Sequence, residues 1–250
     1  MRDAPDQEWR IARRDAEGVR RVRKTCKLAR ARLRLAEEAG LPGARTLRRS
    51  IRDVARELAP VRDAQIAGDL AQEILAEPRR QGRLRRFPAE ERSAAWWAAR
   101  QKELAELERD IAAAGFRPLS HRELRRALRH SFQRLRRAAR AANRKRTLAA
   151  AHAWRKRAVV LRCQLSLAAP LLGRRAEDLS AALKRLTRRL GRATDCRALA
   201  QAMEGPAREL VPKTLKRELN SGMETIKRRS LRRSRRLWRD LKPRLKRQLG

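Results

Sequence analysis

Two sets of cations in this sequence are spaced to grip a row of phosphates. Arg20, Arg23, Lys24, Lys27 and Arg30 form the first set, and His152, Arg155, Lys156 and Arg162 form the second, 132 residues further on. Guanidinium and ammonium groups neutralise phosphate oxygens, and the planar Arg fork holds two oxygens at once. A neutral His152 donates one hydrogen bond to such an oxygen and adds charge when protonated. Cations that return at one helical phase in two parts of a chain read as one binding surface built twice. The chemistry they point to is capture of a polyanion.

Helices must position these side chains. On a wheel of about 100° per residue, Val19, Val22, Cys26, Ala29, Leu33 and Ala36 fall on one face and form a seam to be buried. Arg20, Arg23, Lys27, Arg30 and Arg34 run parallel to that seam, roughly 110° around, with Leu28 and Leu35 beyond them. The pattern predicts a first helix over about 9 to 39, stopped by Gly40-Leu41-Pro42-Gly43, and a second over about 44 to 77, stopped at Glu77-Pro78. After a lead-in over 1 to 8 and a basic loop from Arg79 to Pro88, further helices are expected over about 89 to 114 and, opened by the capping box Ser120 and Glu123, to about 147. The second half predicts helices over about 149 to 172, 175 to 203 and 207 to 219, then one from the break Asn220-Ser221-Gly222 to about 248, with Pro243 a late irregularity.

That makes an all-α chain of eight helices in two sets of four. The halves match without a gap at the 132-residue offset: Leu33 with Leu165, Leu47 with Leu179, Arg52 with Lys184, Leu58 with Leu190, Asp63 with Asp195. Val159 and Ser166 stand where Lys27 and Arg34 would recur, so the halves contribute unequally. Other cations expected to reach the same groove are Arg48, Arg49, Arg52 and Lys184, with Arg136, Arg140, Arg232 and Arg236 closing it. Asp63 and Asp195 are read as salt-bridge supports that orient a cation or His152. The competing reading is that the cations pair with acids of neighbouring helices, because residues 53 to 110 hold 12 Asp and Glu.

Composition narrows the partner. The 250 residues carry 67 Lys and Arg against 28 Asp and Glu, a net charge of +39, so the chain repels itself unless a polyanion or counter-ions neutralise it. Nucleic acid, an anionic membrane surface and polyphosphate all qualify. No run of apolar residues is long enough for a membrane span. Three widely spaced cysteines, 26, 163 and 196, fit neither a disulfide framework nor a zinc site and read as reduced thiols. No phosphate-binding glycine loop, carboxylate cluster for magnesium or nucleophile beside His152 is present, so neither an enzyme nor a cofactor is expected. Trp96-Trp97 reads as helical core, and His121 and His130 as isolated histidines.

The basic motifs resemble the CHAD domain, the conserved histidine α-helical domain. The likeness lies in His152-Ala153-Trp154-Arg155-Lys156 and Leu190-Gly191-Arg192-Ala193-Thr194-Asp195. It recurs in Val19-Arg20-Arg21-Val22-Arg23-Lys24 and Leu58-Ala59-Pro60-Val61-Arg62-Asp63. It covers roughly residues 10 to 249 as a single domain with repeat halves 10–147 and 149–249. It implies two four-helix bundles related by a pseudo-twofold axis, with a central basic channel that binds inorganic polyphosphate, and a place in the cytoplasm at polyphosphate granules. Arg20 replaces the first half's histidine, which suits phosphate binding and disfavours a metal held by paired histidines. The alternative is a basic protein that binds nucleic acid non-specifically. Oligomeric state is left open by these features.

Overall fold

The computed structural model of the chain describes residues 9–75, 92–205 and 211–249. The expected lead-in over 1 to 8, the basic loop from Arg79 to Pro88 and the helix end at Glu77-Pro78 lie outside them. Among the described residues there are eight helices: α1 (Ala16–Glu38), α2 (Ala44–Glu57), α3 (Ala59–Leu75), α4 (Ala94–Ala113), α5 (His121–Lys145), α6 (Leu148–Leu172), α7 (Arg174–Glu204) and α8 (Lys213–Leu249). None is long and apolar enough to cross a membrane.

These are not the eight helices that the sequence pattern predicts. The expected second helix divides at Leu58, because Pro60 lacks an N–H and its ring crowds the preceding turn; it is tolerated within the first turn of α3. Its counterpart in the repeat is Arg192, and α7 runs unbroken for 31 residues. The expected last two helices fuse into α8, 37 residues long. Gly222 does not break it. A Cβ there would sit 2.3 Å from Ile74 Cγ2, so the glycine serves a close approach of α8 to α3. α1 starts at Ala16, because the Asp15 carboxylate accepts from the backbone N–H of Glu17 and Gly18 at 3.0 and 2.8 Å. The capping box of Ser120 and Glu123 forms as expected.

Three apolar cores hold the helices. One joins α1, α2, the start of α3 and α4, and includes Trp9 ahead of α1. The whole predicted seam of α1, from Val19 to Ala36, is buried in it. A second joins α5, α6, α7 and the C-terminal part of α8, with Trp154 and Trp238 edge to face at 6.1 Å. The third joins the ends of α3 and α7 to the N-terminal part of α8. The cores do not follow the sequence halves: α5, placed by the sequence in the first, packs with helices of the second, and the third core draws on both.

Candidate cation site between alpha1 and alpha6

The two helices that carry the repeated cations pack against one another. Buried Gln164 on α6 donates through Nε2 to the Ala31 carbonyl of α1 at 3.5 Å. This contact turns the stripes of the two repeats toward common neighbours. Lys27 lies among Arg23 of its own helix and Arg155 and Arg162 of α6. Lys156 lies among Arg30, Arg197, Arg56 and Arg157. Arg23 is anchored: its Nη1 donates to the Ala55 carbonyl at 3.1 Å, at the C-terminal end of α2, where helix carbonyls lack partners. Arg155 lies over Gly191 of α7, whose Cβ, if present, would be 3.5 Å from Nε. The Nε groups of Arg30 and Arg155 are buried without an acceptor.

The charges perturb one another. Burial, then Arg23, Arg155 and Arg162, push the Lys27 ammonium down to about 8. Burial, then Lys156, Arg155 and Arg197, push His152 down to about 4, so it is neutral at pH 7. Burial lowers Lys156 and the guanidinium groups of Arg23 and Arg30; Arg30 adds to this at Lys156 and Arg48 at Arg30, while Asp63 opposes it at Arg23. Lys27 and Asp63 are open to water and yet lose hydration.

Acids hold the flanks. Glu17 takes Arg20 at 3.0 Å, Asp53 takes Arg52 at 2.9 Å, Glu37 takes Arg48 at 2.7 Å, and Glu38 takes Arg134 and, at 2.9 Å, His130. The expectation that acids of neighbouring helices neutralise the cations is met at Arg48, which Glu37 of α1 holds, whereas Arg20 and Arg52 are held by acids of their own helices. Asp63 and Asp195 lie inside. Burial raises both carboxyls, against the pull of Arg23 on Asp63 and of Arg155 on Asp195. They act on these guanidinium groups through space; the direct ion pairs expected of them are not formed among the described residues.

The structure thus brings together Arg23, Lys27, Arg30, His152, Arg155, Lys156 and Arg162, with Lys24 on the same helix. It adds Arg62 and Arg197, which sequence reasoning missed although Arg62 precedes Asp63 and Arg197 follows Asp195 by two residues. The strongest charges acting on this group do not come from Arg49, Lys184, Arg136 or Arg140, which stand on α2, α7 and α5. Arg232 and Arg236 line a different recess, on α8 beside Asn143. Helix α8 is basic on most sides, so its sequence gave no direction.

What the group can do is hold anions. Among the described residues no set of three His, Cys, Asp or Glu could bind a metal ion. Cys26, Cys163 and Cys196 are free and buried, and burial raises Cys26 and Cys196 to about 11, away from the reactive thiolate. Trp97 is buried, edge to face with Trp96 at 4.8 Å.

A protein-family model described as CHAD domain matches residues 2–204. No curated protein and no solved structure matches the chain.

Proposed function

The chain belongs to the CHAD domain family, and from that footing we propose that it binds inorganic polyphosphate in a basic channel between α1 and α6, without chemistry of its own. The observation that carries the reading is the meeting of cations from both repeats: Lys27 with Arg155 and Arg162, and Lys156 with Arg30. Such crowding opposes folding unless a partner relieves it, and a phosphate polymer does so by accepting from several forks at once.

A pseudo-twofold arrangement is part of the proposal. In its favour, α1 packs on α6 and α3 packs on α7, each against the segment that matches it in the repeat. Arg23 senses Arg155, and Asp195 senses Asp63, so matched positions are neighbours. The proposal places the protein in the cytoplasm at polyphosphate granules. A duplex about 20 Å wide is too broad for a channel that admits a bare phosphate chain.

The test is a titration with long-chain polyphosphate at two salt concentrations. Affinity falls steeply with salt if counter-ions are released. Replacing Arg23, Lys24, Arg155 and Lys156 with Ala should abolish binding while the circular dichroism spectrum stays helical. A folded quadruple variant that binds as tightly as the native chain would move the site elsewhere.

A further inference from the structure

A second cationic surface uses other helices. α5 carries ten Lys and Arg against one acid, Glu123, and α8 from Lys227 onward carries twelve against one, Asp240. The two helices pack together, and Arg235 Nε donates to Asn143 Oδ1 across them at 3.1 Å. On α8, Arg228, Arg232, Arg235, Arg239, Lys242 and Lys246 recur at alternating spacings of four and three. That spacing draws them into one row along roughly 27 Å of helix. The buried seam of the same stretch is Leu231, Ser234, Trp238, Leu241 and Leu245, so the row faces another way. All of the row but the half-buried Arg235 is exposed.

Between the two helices lies a shallow recess of about 440 Å³, lined by Asn143, Arg232, Arg235, Arg236, Arg239 and the buried Trp238. Arg229 holds the neighbouring Arg233 guanidinium below its usual range, with Arg189 of α7 adding to the effect. α8, unlike α5, lies beyond the residues that match the family model.

We propose that α5 and the C-terminal half of α8 form a docking face for duplex nucleic acid, held by its phosphate backbone without reading its sequence. Three observations select this partner. An amphipathic membrane contact needs exposed apolar side chains, and the one large exposed hydrophobic residue among those described is Leu171, on α6. A single strand needs aromatic platforms, and no described aromatic residue is exposed. A duplex needs only an accessible row of cations, and the α8 row nearly matches one helical turn of about 34 Å. Asn143, the amide suited to reading an adenine edge, has its Oδ1 taken by Arg235.

The experiment measures binding of the full chain to two duplexes of unrelated sequence, and to long-chain polyphosphate, across a salt series. Arg228, Arg239 and Lys246 are replaced together with Ala, and in a second variant Arg228 and Arg239 are replaced with Lys. The Ala variant should bind both duplexes about tenfold or more weakly. Its salt slope should fall by about 0.9 for each cation that meets a phosphate. Polyphosphate binding should stay within twofold of the native chain, and the Lys variant should keep duplex binding. Native duplex affinity in the Ala variant overturns the proposal. So does a parallel loss of duplex and polyphosphate binding, which would make the two surfaces one, and so does a strong preference between the duplexes. Failure of the α1–α6 reading is separate: it appears as loss of polyphosphate binding from the native chain with duplex binding intact.

Discussion

Raising the pH from 7 to 9 should weaken polyphosphate binding through Lys27. In the free protein this ammonium titrates at about 8, so it is charged at pH 7 and largely neutral at pH 9. A bound polyanion favours the charged form and should return the group toward about 10.4, the ordinary lysine value. Above pH 8 binding must then recapture a proton from solvent. The full shift corresponds to about a tenfold loss between pH 7 and 9, or about 1.4 kcal/mol. Because Lys27 is open to water, screening reduces this to roughly three- to tenfold. Calorimetry in two buffers of different ionisation enthalpy should find uptake of up to about half a proton per site at pH 8. Val159 occupies the matched position in the second repeat, so the effect belongs to one lysine. Lys27→Gln should remove most of the slope, and Lys156, also lowered, should leave a weaker remainder. An affinity constant across pH 7 to 9 without proton uptake would refute the reasoning, as would an unchanged slope in Lys27→Gln.

Two predictions concern stability. His152 is pushed down to about 4 in the folded chain from an ordinary value of about 6.5, so the unfolded chain binds the extra proton and stability should fall as pH drops from 6.5 toward 4. The loss should be about 1 kcal/mol after solvent screening, and urea melts of His152→Gln at pH 7 and 4.5 should show it removed. Gly222→Ala forces a Cβ against Ile74 Cγ2 and should destabilise by about 1–3 kcal/mol. Adding Ile74→Ala should recover part of that loss in thermal melts, and no recovery would mean that the clash is not the cause.

The sequence shows what is periodic and hides what depends on a partner segment. The seam of α1 is legible because Val19, Val22, Cys26 and the rest keep helical spacing, and all are buried. The convergence of Arg23 and Arg155 is legible because a repeat that packs on itself brings matched positions together. Gly222 is misread as a stop because its meaning lies in Ile74, about 150 residues away in the chain and on another helix. The division at Leu58 follows from Pro60, a local signal visible in the chain from the start. Arg20 keeps the phase of the stripe, yet Glu17 of its own helix takes it, as Asp53 takes Arg52 on α2. Arg232 and Arg236 mislead for a different reason: where nearly every face is basic, phase no longer tells which way a side chain turns.

The long α8 serves two of the three cores, with Leu215, Leu219 and Met223 in one and Leu231, Trp238, Leu241 and Leu245 in the other. A chain growing from its N-terminus can close the α1–α4 core early, while the other two wait for this one rod. Until it emerges, α5, α6 and α7 expose leucine-rich faces beside dense positive charge. The nascent protein therefore passes through a stage prone both to clumping and to sticking on cellular RNA, and its maturation hinges on how soon the ribosome delivers the rod.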